Sequence, residues 1–239
     1  MSNFDTPIIF PCVLLYVHSI PNIWPILTRG GLETNPVYVL FLQVYCLVPG
    51  TEVDASRKAS DFDYENFIQS RSSVRHFTGG QVDPEIVKTA VRQSLKAPRS
   101  CNRETRRVYV AYEQKLKEQL LSYQNGNRGF GHKLGVVLMV TVDLRHFDLI
   151  GERNQGWIDG GLFAMSLVYG LHAASLGTCM LNWSEDCESD KAIRKAFNIP
   201  DYEIIITMIG AGHVPKKFEV TASPAPDVDE VLSIIKPRE

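Results

Sequence analysis

Two arginines and three hydroxyls fall within six residues at Ser70-Arg71-Ser72-Ser73-Val74-Arg75, followed by His76-Phe77. A guanidinium offers a planar fork of donors that suits a phosphate, and serine hydroxyls can satisfy the remaining oxygens. The segment reads as an anion receptor, although a solvated basic turn would carry the same residues. Ala97-Pro98-Arg99-Ser100-Cys101-Asn102 sets small and polar residues between a helix and a strand, where a loop can approach a ligand or merely turn. Gly126-Asn127-Arg128-Gly129-Phe130-Gly131-His132-Lys133 is glycine-rich, but it lacks the Gly-Lys-Ser/Thr of a P-loop and follows no strand. Leu181-Asn182-Trp183-Ser184 closes an apolar strand. There α/β proteins often place ligand contacts, and there a tryptophan can also simply cover the core edge.

Other chemistry lacks its residues. No Gly-x-Ser-x-Gly elbow, His-Glu-x-x-His helix or full dinucleotide glycine fingerprint occurs, and the six histidines are scattered. The five cysteines are odd in number and form no Cys-x-x-Cys pair, which argues against a disulfide framework and a structural zinc site. A reduced, cytoplasmic setting is the simplest expectation. A net charge of −2 gives no electrostatic reason to expect nucleic acid as a partner.

The elements that must position these stretches begin near Asp61. Asp63–Ser70 places Tyr64, Phe67 and Ile68 on one side of a short helix. Asp83-Pro84 predicts a helix start, with Asp as N-cap and Pro in the first turn. Val108–Tyr112 alternates like a strand, Gln114–Tyr123 returns to helical spacing, and Val136–Val142 is an apolar run suited to a strand buried on both faces. Trp157–Leu176 is the longest helical candidate. It is apolar nearly all round, so it belongs inside the molecule or in a subunit interface, with Gly177 as its C′ residue. Thr178–Asn182 and Ile204–Ile209 read as strands, Ser189 as a helix cap, and Asp227–Ile235 as a closing amphipathic helix. Strands separated by helices imply an α+β sheet covered by helices.

The first fifty residues differ. They hold three charged side chains, Asp5, Arg29 and Glu33, against six prolines. Their apolar runs are shorter than the ~20 residues a membrane-spanning helix takes, and no basic region precedes the first as in a signal peptide. Residues 1–50 are therefore expected to form an apolar arm packed on the domain or its dimer partner. A membrane-surface contact or a misplaced gene start would explain them too. Residues 51–60 read as a linker to a domain at 61–239.

Taken in order, the motifs resemble the nitroreductase family of FMN enzymes. The resemblance runs through Arg71–Phe77, Ala97–Asn102, Asp159-Gly160-Gly161, Leu176-Gly177-Thr178-Cys179 and Ile209-Gly210-Ala211-Gly212-His213, about three quarters of the chain. It implies a three-layer α+β sandwich with a central mixed sheet covered by helices, assembled as a homodimer with FMN at the interface. Carried over by position, Arg71, Ser72 and Ser73 would hold the phosphate and ribityl chain, and Arg75 would lie at the flavin N1–C2=O edge. Pro98, Arg99, Ser100 and Asn102 would reach the cofactor of the neighbouring subunit, and Asn127 would join the cofactor set. Leu181, Asn182 and Trp183 would follow the flavin face or its N5 edge. The implied reaction passes hydride from NADH or NADPH to FMN and then electrons to a small-molecule acceptor such as a nitro compound or quinone. The Gly-Asn-Arg-Gly-Phe and Leu-Asn-Trp variants resemble the branch found beside polysaccharide biosynthesis. A family member that had lost flavin would instead act as a binding or scaffold protein. The chain departs from the family at Glu104-Thr105-Arg106, where Gln-Pro-Trp is usual, and at Ala225, where a basic residue often follows Ser-Pro.

Overall fold

Strand β2 (Val136–Asp143) is buried along its whole length, as a continuous apolar run requires. The computed structural model describes residues 62–238, so the expectations for 1–50 and 51–60 lie outside the described residues. β2 pairs antiparallel with β1 (Arg106–Ala111) and with β4 (Glu203–Gly212), and β3 (Gly177–Asn182) pairs antiparallel with β4, giving the order β1-β2-β4-β3. Among the described residues the parallel component of the sheet is one bridge, Ser73 beside Thr178.

Helices cover both faces and complete three layers. Val136, Leu138 and Val140 of β2 face a cluster with Val87 and Ala90 from α2 (Pro84–Ser94) and Phe163, Leu167 and Leu171 from α4 (Gln155–Ala173). Val137 and Met139 point the other way, toward Leu120 and Leu121 of α3 (Gln114–Leu121) and Ile193 of α5 (Cys187–Phe197). A period of two on β2 thus feeds two cores.

The short helix α1 (Tyr64–Ser70) has Asp63 as its N-cap, and Asp83 accepts from the Glu85 N–H at the head of α2, as the sequence predicts. Three boundaries differ. α4 stops at Ala173, Ser175 adopts a φ of 61°, and Gly177 opens β3 rather than capping the helix. A Cβ on Gly177 would stand 2.4 Å from Val214 and 3.1 Å from Val74, so the glycine allows a close approach instead. α5 is capped by Asp186, which accepts from Ser189 N–H at 2.7 Å; Ser189 is already inside the helix. The final helix, α6, is only Val228–Val231. Ile234 and Ile235 beyond it are 82% and 95% exposed. Apolar periodicity there meets no packing surface among the described residues, and a helix shorter than ~12–15 residues does not hold on propensity alone.

Candidate functional site

The Arg71–Phe77 segment leaves α1 extended and runs alongside β3. Val74 N–H donates to Thr178 O at 2.8 Å, and Thr78 N–H donates to His213 O at 2.9 Å. Val74 and Phe77 are buried, which turns the polar residues between them outward. The side chains of Arg71, Ser72 and Ser73 make no hydrogen bond or ion pair with other described residues. Arg75 makes one long contact, Nη1 to Thr221 Oγ1 at 3.5 Å. Burial pushes the neighbouring Cys179 thiol up, and the Arg75 guanidinium draws it back down. These donors have the chemistry of an anion site: positive charge and hydroxyls on a backbone held by sheet pairing.

Among the described residues β3 lies at one edge of the sheet and β1 at the other. Thr178 O points outward to Val74, so by the alternation of an antiparallel ladder Met180 and Asn182 also direct their backbone groups to the open edge. Asn182 O accepts from Gln124 Nε2 at 3.2 Å, and Asn182 Nδ2 donates to Ser184 Oγ at 2.9 Å. Leu181 is buried in the core. The Trp183 indole donates to Asp190 Oδ1 at 2.9 Å, which ties it to α5. Asn127 uses its amide donors on Leu121 O at 2.9 Å and on Gln124 O, fastening the end of α3. Its loop and α3 flank a groove of about 350 Å³ lined by Glu118, Arg128 and His132.

The Ala97–Asn102 loop lies elsewhere. Ser100 N–H donates to Asp159 Oδ2 at 3.0 Å, in the second turn of α4. Arg71 follows Ser70, whose hydroxyl lies 3.0 Å from His172 Nε2 in the last turn of α4. At 1.5 Å per residue the two anchor points are about 20 Å apart along one helix. One chain therefore brings Arg71, Ser72, Ser73 and Arg75 together with β3, and holds Pro98, Arg99, Ser100 and Asn102 at the opposite end of α4. Arg99 Nη1 donates to Leu95 O at 3.4 Å, while its buried Nε makes no hydrogen bond and lies 3.8 Å from Glu104 Oε2 in an ion pair. Asn102 is exposed and makes no side-chain hydrogen bond with the described residues.

Sequence reasoning gave no site role to Asp159, named only within a family motif, and none to Arg103 or Glu152. Asp159 is 1% exposed and also accepts from Gln155 Nε2 at 2.8 Å. Arg103 and Glu152 form an ion pair with side chains 13% and 18% exposed, and the Arg103 hydrogen bond holds Glu152 below the usual carboxylate range. A carboxylate inside an otherwise apolar helix was the signal available for Asp159. No group of three or more potential metal ligands occurs among the described residues, and no described helix is long and apolar enough to cross a membrane.

The fold is a three-layer α+β sandwich with an Arg71–Arg75 donor cluster beside β3, and comparison gives the family. The nitroreductase family model matches residues 68–127 and 111–213, together more than half of the chain. The chain belongs to the nitroreductase family, an oxidoreductase family. A nitroreductase-like protein from Streptococcus mutans superposes with a TM-score of 0.63 at 19% identity, covering 73% of this chain and 98% of its own. A nitroreductase family protein from Streptococcus pneumoniae gives 0.62 at 19% identity, covering 71% and 98%. An FMN-dependent nitroreductase from Clostridium difficile gives 0.59 at 19% identity, covering 71% and 98%. No curated protein sequence matches the chain.

Proposed function

We propose that the protein is an FMN-dependent oxidoreductase that works in the cytoplasm as a homodimer, with NADH or NADPH as donor and a small nitro compound or quinone as acceptor. The observation that carries this reading is the free donor set of Arg71, Ser72 and Ser73, seated by the Ser73–Thr178 bridge on the open edge of β3. That donor set fits FMN. Two hydroxyls and a guanidinium match a phosphate and ribityl chain, and an edge strand with outward N–H groups matches a planar, hydrogen-bonding ring system. When bound, FMN supplies the redox chemistry, accepting hydride and passing electrons on.

The remaining roles belong to the chain. Arg71, Ser72 and Ser73 bind the phosphate and ribityl chain. Arg75 holds positive charge at the N1 edge. Met180 and Asn182 offer backbone N–H groups along β3, and Leu181 and Trp183 fix that strand end through the core and Asp190. Asn127 acts through its loop, because its own donors are engaged. No side-chain nucleophile is needed.

The separation of the two loop sets along α4 supports a dimer, since one chain cannot bring Asn102 to Arg71. Trp157, Ile158 and Leu162 on the outward face of α4 are 43–52% exposed, a suitable apolar surface for a second copy.

Arg75→Leu tests the reading. Reduction places negative charge near N1, so loss of the cation lowers the flavin potential by about 30 mV or more, equivalent to about 1.4 kcal/mol for a two-electron couple. FMN occupancy changes less. An unchanged potential in spectroelectrochemical titration would remove Arg75 from the flavin.

A further inference from the structure

Ser100 is gripped from two sides. Its N–H is held by the buried carboxylate of Asp159 at 3.0 Å. Its carbonyl accepts from the Arg103 backbone N–H at 3.0 Å and from Nε at 3.4 Å, and its hydroxyl oxygen accepts from Arg103 Nη2 at 3.1 Å. Arg103 is itself fixed by the Glu152 ion pair, by the His146 carbonyl, and by the Phe147 ring 5.1 Å from its guanidinium carbon. The next two residues, Cys101 and Asn102, both take left-handed φ values, 52° and 55°. Consecutive non-glycine residues in that region persist only where their surroundings over-determine them. With its N–H, carbonyl and hydroxyl oxygen engaged, Ser100 serves as a fixed point. Pro98, Cys101 and Asn102 are what the loop exposes, while Arg99 is half-buried against Leu95 and Glu104.

We propose that Arg103, backed by Glu152, together with Asp159 positions the Pro98–Asn102 loop for the flavin of the partner subunit, so that each chain's clamp sets the cofactor affinity of the other chain's site. This rests on the reading that the loop reaches across the dimer. The clamp residues touch no cofactor; they act through Ser100. Loss of the supporting partner behind a ligand-binding group typically weakens a site by 10–100-fold in metal centres, and a comparable mechanism applies here.

The test is FMN titration by fluorescence quenching on full-length chains. The Arg103→Ala dimer is expected to bind FMN roughly tenfold more weakly at unchanged dimer mass. Arg103→Lys keeps a charge for Glu152 but loses the fork on Ser100, and lies between. If Arg103→Ala does not fold, Arg103→Lys carries the test. The decisive sample is a mixed dimer of one Arg71→Ala chain and one Arg103→Ala chain. Action across the interface places both defects in one site and leaves the other intact. One FMN then binds per two chains with parental affinity. No tight site in the mixed dimer, or parental binding by both Arg103 variants, overturns the positioning role. A parent protein that binds no FMN would instead overturn the proposed function.

Discussion

Arg71→Ala is expected to loosen FMN by roughly ten- to hundred-fold. A charge-assisted hydrogen bond to a phosphate contributes on the order of 1.5–3 kcal/mol, and each 1.4 kcal/mol is about a factor of ten in Kd. The loss is specific because Arg71 holds nothing else in place: its guanidinium bonds to no other described residue. Thermal stability without cofactor therefore stays at the parental value. Riboflavin, which lacks the phosphate, is expected to bind the variant and the parent alike. Parental FMN affinity in the variant would place the phosphate elsewhere.

Phe163→Ala has the largest expected effect on the fold. Phe163 is 1% exposed in the α4 face that packs on β2, and its ring lies 4.8 Å from the guanidinium carbon of Arg106. Truncating a buried phenylalanine costs about 3–5 kcal/mol, from lost burial and from the cavity left behind. Here the buried Arg106 also loses its aromatic face, which retains only Glu104 and the Ala97 carbonyl as partners. Chemical denaturation should show the midpoint falling with little change in slope. A cost below about 1 kcal/mol would mean that α4 repacks freely against the sheet, and would contradict the tight helix–sheet contact.

Much of the scaffold could be read from local signals. Asp83-Pro84 specifies a helix start because cap and φ preference reside in adjacent residues. Val136–Val142 specifies a buried strand because, Thr141 aside, it is apolar on both faces. The closing helix was overestimated because periodicity reports that a face exists, not that anything covers it. Gly177 was misplaced for a similar reason: its need for space comes from Val74 and Val214, which are distant in sequence.

The site was legible as residues and not as an arrangement. Arg71–Arg75 stands out by composition, yet its seat depends on Ser73 pairing with Thr178, a contact no local pattern announces. Ser100, Asn127 and Trp183 look like ligand groups in sequence, and the Ser100 hydroxyl, the Asn127 amide nitrogen and the Trp183 indole N–H are engaged within the fold. Asp159 showed the opposite. A single carboxylate in an apolar helix acquires meaning only when Ser100 is brought to it.

In the proposed function, FMN binds where two chains meet. The most direct measurement combines the visible absorption spectrum of the purified full-length protein, after incubation with FMN and removal of the excess, with its mass by light scattering at micromolar concentration. The account predicts flavin bands at one FMN per chain on a particle of twice the chain mass. A colourless protein, or a monomer that retains flavin, would contradict it.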